Sequence, residues 1–360
     1  MKLKDVVREV RTTYKGDMTN VPIVGLEHII PCEITFEKYM IDSESTFSKV
    51  FQKGQVLFGR RRAYQHKAAI AHIDGICSGD IMVLEAIPDK IEPNLLPFII
   101  QNDDFFDYAI QHSEGGLSPR VKWSAIANYE FTLPSLSEQK LLADKLWAAY
   151  RVKESYKKLL AATDDMLKAK FQEMFGEEEK ITLESIASAW SKGQSFSKND
   201  IVDEGSTPCI HYGQLYKYGY VINNVFSATN ASAKTTSIKG DILFPASDVT
   251  PKGLARCSCI DLDGVILGGD IIVMHPVEGI NPTYLSYAIN QQTNQLLQLV
   301  TGSVVRHMSA KSLKTVKIPL PPLPLQQQFV DIATQAEATK ESLRKSIENI
   351  DQVIKSLINQ

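Results

Sequence analysis

Residues 133–139 read Leu-Pro-Ser-Leu-Ser-Glu-Gln, and residues 320–326 read Leu-Pro-Pro-Leu-Pro-Leu-Gln. Leucine, proline, leucine and glutamine recur at a constant offset of 187 residues (133 to 320, 139 to 326). Each copy begins with prolines, which disfavour helix in the residue before them, and about ten helical turns without Pro or Gly follow. The pattern predicts two long helices, over 133–175 and 320–357, that arose by duplication.

An apolar stripe runs along each of these stretches. In the second copy the residues alternate at spacings of four and three, which is typical of a coiled-coil seam. They are Leu343, Ile347, Ile350, Ile354 and Leu357, and the first copy has a looser stripe at Leu142, Leu146, Ala149, Tyr156, Leu160 and Leu167. So narrow a stripe needs a partner of similar length. We therefore expect the two helices to form an antiparallel coiled coil, a spacer of roughly 50–60 Å, although both helices could instead pack into one ordinary core.

The segments before the two helices also repeat, in the same order and at offsets between 186 and 190 (53 to 239, 78 to 268). The matches are Lys53-Gly-Gln-Val-Leu-Phe58 with Lys239-Gly-Asp-Ile-Leu-Phe244, Ser78-Gly-Asp-Ile-Met-Val83 with Gly268-Gly-Asp-Ile-Ile-Val273, Pro93 with Pro282, Gly116 with Gly302, and Arg120 with Arg306. Between these anchors the copies differ. The expected order is domain 1–134, helix 135–176, domain 177–321 and helix 322–360.

The composition supports two globular α+β domains. The chain has 360 residues, of which 44% are hydrophobic, and short strand-like runs accompany one helical stretch over 95–108 in the first repeat. The five cysteines, an odd number widely spread, favour reduced thiols. No charged leader or long apolar run is present, so we expect a soluble, cytoplasmic protein without membrane partners.

Catalytic motifs are missing where an enzyme would carry them. There is no phosphate-binding loop, dinucleotide fingerprint, His-Glu-x-x-His or nucleophile elbow. Cys209, His211, Cys257 and Cys259 could ligate zinc, but their one-residue spacings fit one face of a strand better. Residues 281–284, Asn-Pro-Thr-Tyr, resemble an amino-methyltransferase loop, although a proline at a helix start explains them. Glu178-Glu-Lys180 lies in a connector, which favours no nuclease site.

Several polar segments instead have the side chains that contact DNA. The net charge of −3 does not indicate a nucleic-acid binder, but a local basic patch is enough. In the first repeat the candidates are Arg60, Arg61, Arg62, Tyr64, Gln65 and Lys67 on a loop, with Arg120 and Lys122 as phosphate contacts. In the second repeat they are Ser247, Lys252, Arg306 and His307, and Tyr212, Gln214 and Lys217 on a strand-like run. A solvated charged loop or buried strand aromatics remain the alternatives.

The doubled arrangement of divergent domains, each with Lys-Gly-x-x-Leu-Phe, Gly-Asp-Ile and Leu-Pro-x-Leu-x-x-Gln, resembles the specificity subunit of type I restriction-modification systems. The resemblance covers essentially the whole chain. It implies that each domain reads one half of a split DNA site. It also implies that the paired helices set the gap between the half-sites and bind the modification subunits, of which two are expected. It also implies no catalytic site and no cofactor, because S-adenosylmethionine belongs to the modification subunits, and ATP and Mg²⁺ to the restriction subunits.

The sequence departs from the family pattern at two residues of the second helix start. Leu325 stands where the family has glutamate, and Pro324 makes the first helical turn uncertain. A non-DNA scaffold with two protein-binding domains, or the specificity chain of a related type II-like system, would also fit the repeats.

Overall fold

A computed structural model describes residues 1–42, 44–196, 198–202 and 205–359 of the protein. The chain divides into two units, which we call unit 1 (Met1–Lys158 with Leu343–Gln360) and unit 2 (Leu159–Ser342). Each unit contains one globular part and a portion of both long helices. The predicted α+β class and the two repeated globular parts are confirmed.

The globular part of unit 1 is built on two sheets. Its strands are β1 (Val7–Val10), β2 (Ile23–Val24), β3 (Lys49–Phe51), β4 (Val56–Gly59), β5 (Ala68–Ile70), β6 (Gly75–Cys77) and β7 (Ile81–Ala86). Its short helices are α1 (Leu96–Ile100), α2 (Asp103–Gln111) and α3 (Trp123–Ile126). One sheet is antiparallel with the order β1-β7-β4-β5, and the other has the order β2-β6-β3. The helical stretch expected over 95–108 is two helices, because Asn102 has an extended backbone and caps α2 through its side chain.

Unit 2 contains more strands, in a corresponding order. They are β8 (Lys180–Thr182), β9 (Ala187–Lys192), β10 (Ile201–Val202), β11 (Thr207–Ile210), β12 (Val221–Ile222), β13 (Ala228–Thr229), β14 (Ile242–Pro245), β15 (Ser247–Asp248), β16 (Ser258–Ile260), β17 (Ile266–Leu267), β18 (Ile271–Pro276), β19 (Arg306–His307) and β20 (Lys317–Pro319). Its short helices are α5 (Pro251–Leu254), α6 (Pro282–Asn290), α7 (Thr293–Gln298) and α8 (Ala310–Leu313). The main sheet has the order β12-β16-β14-β18-β9.

The repeated Lys-Gly-x-x-Leu-Phe motif forms the central strand of each main sheet. In β4, Val56 and Phe58 face one hydrophobic core, and Leu57 faces a second core on the opposite side. In β14, Ile242 and Phe244 face one core and Leu243 faces the other. Successive side chains of a strand point to opposite faces, so burial on both faces requires this uninterrupted apolar run.

The long helices are α4 (Leu136–Phe175) and α9 (Leu323–Ile358). α4 begins with a capping box, in which the Ser135 N–H donates to Glu138 Oε2 at 2.9 Å. α9 has no such box, yet it begins one residue before Pro324. Proline is tolerated there because the N–H groups of the first turn have no partner within the helix. The first turn of α9 is therefore helical from Leu323 onward, although it contains Pro324.

The glutamine of the repeated motif fastens each helix start to its own globular part. Gln139 is 2% exposed; its Oε1 accepts the Glu92 N–H at 2.9 Å and its Nε2 donates to Pro134 O at 2.9 Å. Gln326 makes the same pair of bonds, to the Asn281 N–H at 3.0 Å and to Pro321 O at 2.7 Å. A buried amide that satisfies two backbone groups is costly to replace, which explains why the motif is present twice.

Within each unit, α4 and α9 contact each other through a buried lysine. In unit 1, Lys153 Nζ lies 2.7 Å from Asp351 Oδ1, and the lysine side chain is 10% exposed. In unit 2, Lys340 Nζ lies 2.6 Å from Asp164 Oδ1, and its side chain is 8% exposed. The two pairs are equivalent under the repeat, because both lysines and both aspartates are 187 positions apart (153 to 340, 164 to 351).

Candidate nucleic-acid interface

A short β-hairpin stands at the same place in both globular parts. In unit 1, Glu114 and Arg120 close it with two backbone hydrogen bonds of 2.9 Å, and Gly115 has a φ of +109°. In unit 2, Thr301 and His307 close it with bonds of 3.0 and 2.9 Å, and Gly302 has a φ of +91°. The left-handed glycine lets the chain turn immediately after the first closing residue.

This pairing corrects two of the matches made from sequence. The closing residues are related by 187 positions (114 to 301, 120 to 307), so Arg120 corresponds to His307 and not to Arg306. Likewise Gly302 corresponds to Gly115, which shares its left-handed backbone, and not to Gly116. Arg120 and Arg306 were matched in the sequence because they are identical residues. The backbone hydrogen bonds show that their positions in the two hairpins differ by one residue.

The loop that follows the central strand is attached to this hairpin in both units. In unit 1, the Arg62 N–H donates to Pro119 O at 2.8 Å, and Arg61 pairs with Arg120. In unit 2, β15 pairs with β19, so that Ser247 lies opposite His307 and Asp248 opposite Arg306. The fold therefore brings together residues that are about 60 positions apart in sequence. The loop and hairpin candidates of each repeat form one surface, which we call the loop–hairpin surface.

In unit 1 this surface contains an arginine cluster around one carboxylate. Asp80 Oδ1 accepts from Arg120 Nε at 2.7 Å, and Asp80 Oδ2 accepts from Arg61 Nη1 at 3.2 Å. Arg61 and Arg62 also donate to Ser118 Oγ, at 3.1 and 3.3 Å. Burial alone would raise the pKa of Asp80, but the hydrogen bonds and charges of Arg120 and Arg61 outweigh it and lower that pKa. The cluster therefore stays ionised, with its positive charges in excess.

The rest of the predicted loop is arranged around a sharp turn. Arg62 and His66 both have left-handed backbones, with φ of 55° and 50°, on either side of a 3₁₀ turn over residues 63–65. Such conformations are unfavourable for residues other than glycine. The turn leaves Tyr64 54% exposed and Gln65 half-buried. Sharp strained turns that present polar and aromatic side chains are common at binding sites.

The other three predicted cations of unit 1, Arg60, Lys67 and Lys122, have protein partners outside the arginine cluster. Arg60 Nε donates to Val121 O at 3.2 Å, and Lys67 Nζ donates to Leu26 O at 2.6 Å. Lys122 is exposed and its Nζ lies 2.6 Å from Glu114 Oε2. Lys122 therefore lies at the base of the hairpin beside Arg120, and Lys67 is fixed to the neighbouring backbone.

In unit 2 the same framework carries different chemistry. The places of Arg61 and Arg120 are taken by Ser247 and His307, so the arginine pair that binds Asp80 has no equivalent at these two positions. Asp248 Oδ1 instead accepts from the Thr250 N–H and hydroxyl, at 2.5 and 2.8 Å. Lys252 is exposed on α5, and Arg306 donates to Gly302 O within the hairpin. The two loop–hairpin surfaces thus share a backbone but differ in charge.

Residues 212–217 are a 3₁₀ helix, so their prediction as a strand-like run was wrong. His211 caps this helix, and Gln214 Oε1 accepts the His211 N–H at 2.8 Å while its Nε2 donates to Ser227 Oγ. These local bonds compete with strand pairing, as polar side chains near turns do. Tyr212 is half-buried at the start of the helix and Lys217 is exposed at its end.

Arg256 joins this 3₁₀ helix to the loop after the central strand. Its Nη2 donates to Tyr218 O at 2.6 Å, and its guanidinium carbon lies 5.9 Å from the centre of the Tyr216 ring. Burial raises the pKa of Tyr216, and the nearby Asp248 carboxylate raises it further. In the second repeat, Ser247 and His307 are therefore brought together by strand pairing, and the 3₁₀ helix approaches the loop after the central strand through Tyr216.

The comparisons with known proteins concern the whole chain. The sequence matches the family described as the type I restriction modification DNA specificity domain, over residues 15–162 and again over residues 176–352. Together these stretches include most of the 360 residues. The chain belongs to this family. A relative from Methanocaldococcus jannaschii, described as the specificity subunit of the MjaX type I restriction enzyme, is 22% identical over 99% of this chain and 91% of that protein.

Solved structures show that the type I specificity fold extends over the whole chain. A chain from a study of complex assembly and conformational transition in the type I restriction-modification system has a TM-score of 0.57 at 19% identity, covering 99% of this chain and 98% of that one. The specificity subunit of a type I system from M. genitalium has a TM-score of 0.58 at 13% identity, covering 100% of this chain and 94% of that one.

Other candidate chemistry in this type I specificity protein finds structural explanations. No three His, Cys, Asp or Glu side chains of the described residues are grouped to hold a metal, so Cys209, His211, Cys257 and Cys259 do not form the zinc site considered above. Asn281 caps α6 by accepting the Tyr284 N–H at 3.1 Å, which makes the Asn-Pro-Thr-Tyr stretch a helix start. The described part of the chain also contains no helix long and apolar enough to cross a membrane.

Sequence reasoning missed two contributors to the loop–hairpin surface of this specificity protein. Asp80 was used only as an anchor of the repeat, although its place directly after a glycine at a strand start marks it as a loop carboxylate next to the basic segment. Ser118, whose hydroxyl accepts hydrogen bonds from Arg61 and Arg62, had no signal in the sequence because serine is common in turns.

Proposed function

We propose that this protein is the DNA-reading specificity subunit of a type I restriction-modification complex. The observation that carries the proposal is the duplicated loop–hairpin surface, which has the same backbone in both units but an arginine cluster in one and serine, aspartate and histidine in the other. A bipartite DNA site with unlike halves requires such a pair of related but chemically different surfaces.

Each half-site would be held and read by one loop–hairpin surface. In unit 1, Arg120, Lys122 and Lys67 would contact phosphates, and Arg61, Arg62, Tyr64 and Gln65 would face base edges, with Arg60 supporting the loop. In unit 2, Ser247, Lys252, Arg306, His307, Tyr212, Gln214 and Lys217 would share these tasks. Arginine donates two parallel hydrogen bonds to guanine, and Gln does so to adenine. The excess positive charge in unit 1 would make binding there the more sensitive to salt.

The long helices would serve as the spacer between half-sites. The proposal assigns residues 1–134 and 177–321 as target-recognition domains and residues 135–176 and 322–360 as helices of an antiparallel coiled coil. It is supported by the buried Lys153–Asp351 and Lys340–Asp164 pairs and by the stripe from Leu343 to Leu357, every member of which is buried or half-buried in unit 1. A buried lysine in such a seam fixes the register of the pair.

The chemistry of the complex would belong to its partners. We propose that two modification subunits dock on the helices and transfer methyl groups, that ATP-dependent restriction subunits cleave, and that this chain contributes no catalytic residue or cofactor. The protein would act in the cytoplasm, where these partners and the DNA are found.

The test is a selection from random duplex DNA by the chain co-purified with its modification subunit, at moderate salt. Recovery of two short unlike half-sites separated by a fixed gap is the expected result. Deleting one helical turn from α4 together with the matching turn of α9 should change the gap and leave both half-sites as they were. No enrichment by a folded, partner-bound chain would overturn the proposal.

A further inference from the structure

Each hairpin of the loop–hairpin surface presents an apolar side chain to solvent at its tip. Leu117 is 96% exposed and Val304 is 81% exposed, and the residue after Val304, Val305, is 46% exposed. Both are the third residue after the first closing residue of the hairpin, so they occupy the same position of the repeat (117 to 304). Single exposed apolar residues are common on proteins, but here the exposure recurs at equivalent positions of two strongly diverged loops.

The tips are held firmly in this exposed position. The closing backbone bonds fix the base of each hairpin, and in unit 1 Ser118, next to Leu117, accepts from both Arg61 and Arg62. In unit 2, Arg306 donates to the carbonyl of Gly302 across the turn. These contacts hold the backbone on either side of each tip, so that Leu117 and Val304 are presented on the outside of the hairpin.

Arginine side chains lie close to each tip. Arg61, Arg62 and Arg120 donate to Ser118, the residue after Leu117, and Arg306 follows Val304 two positions later in the hairpin. An apolar side chain within a positive rim fits duplex DNA, whose phosphates line a groove and whose thymine methyl groups project into it. An apolar groove on a protein partner would not require the positive rim.

We propose that Leu117 and Val304 are base-reading residues, each placing its aliphatic side chain against a thymine methyl group in the major groove of its own half-site. The inference rests on the proposed function and names residues that were not among the sequence candidates. Leucine reaches about one carbon further than valine, so the two tips would read at different depths.

The test compares the full chain and its variants on the duplex obtained by selection. Leu117→Ser should weaken binding about tenfold, the effect of losing one buried aliphatic side chain, and only when its own half-site is intact. Val304→Ser should do the same for the other half-site. The control is Ile238→Ser, which removes a side chain that is 60% exposed on a turn away from the hairpin, and its affinity should equal that of the wild type.

A second arm replaces each thymine of the half-sites by uracil, which removes only the methyl group. One replacement per half-site should weaken wild-type binding roughly fourfold and should not weaken the matching serine variant further. The inference would be overturned if the serine variants bound the duplex as tightly as the wild type, or if they lost the same affinity for every DNA sequence. Selected half-sites that contain no thymine would also overturn it. Loss of modification-subunit binding with unchanged DNA affinity would also overturn it. Failure of the wild-type chain to select any duplex would instead refute the proposed function.

Discussion

Asp351→Asn is the substitution that tests the helix pairing most directly. Lys153 has its ammonium group in the interface of α4 and α9 with only 10% of the side chain exposed, and among the described residues Asp351 is its one ion-pair partner. Removing the partner of a fully buried ion costs roughly 3–5 kcal/mol. Because Asp351 is itself 41% exposed, water screens the pair, and we expect a loss of about 2 kcal/mol in local stability.

The converse substitution should cost less. Lys153→Met keeps the aliphatic packing and leaves Asp351 in contact with water, so we expect a change of less than about 1 kcal/mol. The equivalent Asp164→Asn should cost about 1 kcal/mol, because Glu337 remains 2.8 Å from Lys340. Asp165→Asn is the control, since Asp165 is 77% exposed and pairs with Lys168 at the helix surface.

Backbone hydrogen exchange is the suitable assay, because a chain with two units does not unfold in one step and exchange reports local opening. A loss of 2 kcal/mol should speed exchange about 30-fold in the helical segments around residues 153 and 351. The reasoning is refuted if Asp351→Asn has no more effect than Asp165→Asn. It is equally refuted if Lys153→Met destabilises more than Asp351→Asn.

Three further outcomes follow from the described contacts. Asp80 has a lowered pKa in the folded protein, so its ionised form stabilises unit 1 above its unfolded pKa, and this contribution is lost as pH falls through the folded pKa. Wild type should therefore be more stable than Asp80→Asn at neutral pH, and an acid titration followed by circular dichroism should show the difference vanish. Gln326→Ala should destabilise unit 2 by about 2 kcal/mol because it leaves two buried backbone groups unpaired, whereas the exposed Gln328→Ala should stay within about 0.5 kcal/mol in the same exchange experiment. In the native protein an alkylating reagent should modify the exposed Cys32 first and leave Cys77 unmodified, because burial raises the pKa of Cys77 to about 12; mass spectrometry of peptides distinguishes these sites.

The duplicated framework could be predicted from sequence because it depends on local signals. Prolines and a glutamine precede or begin each long helix, and an apolar run forms each central strand. These residues determine the structure of the few residues around them. The helices begin at Leu136 and Leu323, close to where the prolines placed them. Such signals survive divergence of the surface, since they determine backbone and core rather than function.

The details of the loop–hairpin surface could not be predicted in the same way. Whether Arg61 meets Arg120 or another residue depends on hydrogen bonds between segments about 60 positions apart, and a shift of one residue changes the chemistry at every position. The buried Lys153 and Lys340 were missed for a related reason. Lysine usually lies in solvent, and only the opposite helix shows that these two have carboxylate partners in the interface.

The repeat also explains how one chain can keep its architecture while its surfaces change. Each lysine–aspartate pair joins one residue from the first copy to one from the second, so neither copy can lose its lysine or aspartate without disturbing the interface in one of the units. The loop–hairpin positions are under no such reciprocal constraint, because the hydrogen-bond partners of the Arg61 and Arg120 side chains among the described residues, Asp80 and Ser118, belong to the same repeat. A change there alters one surface and leaves the other intact. Under the proposed function, selection for a new half-site would therefore act on one repeat at a time while the helix register stays fixed.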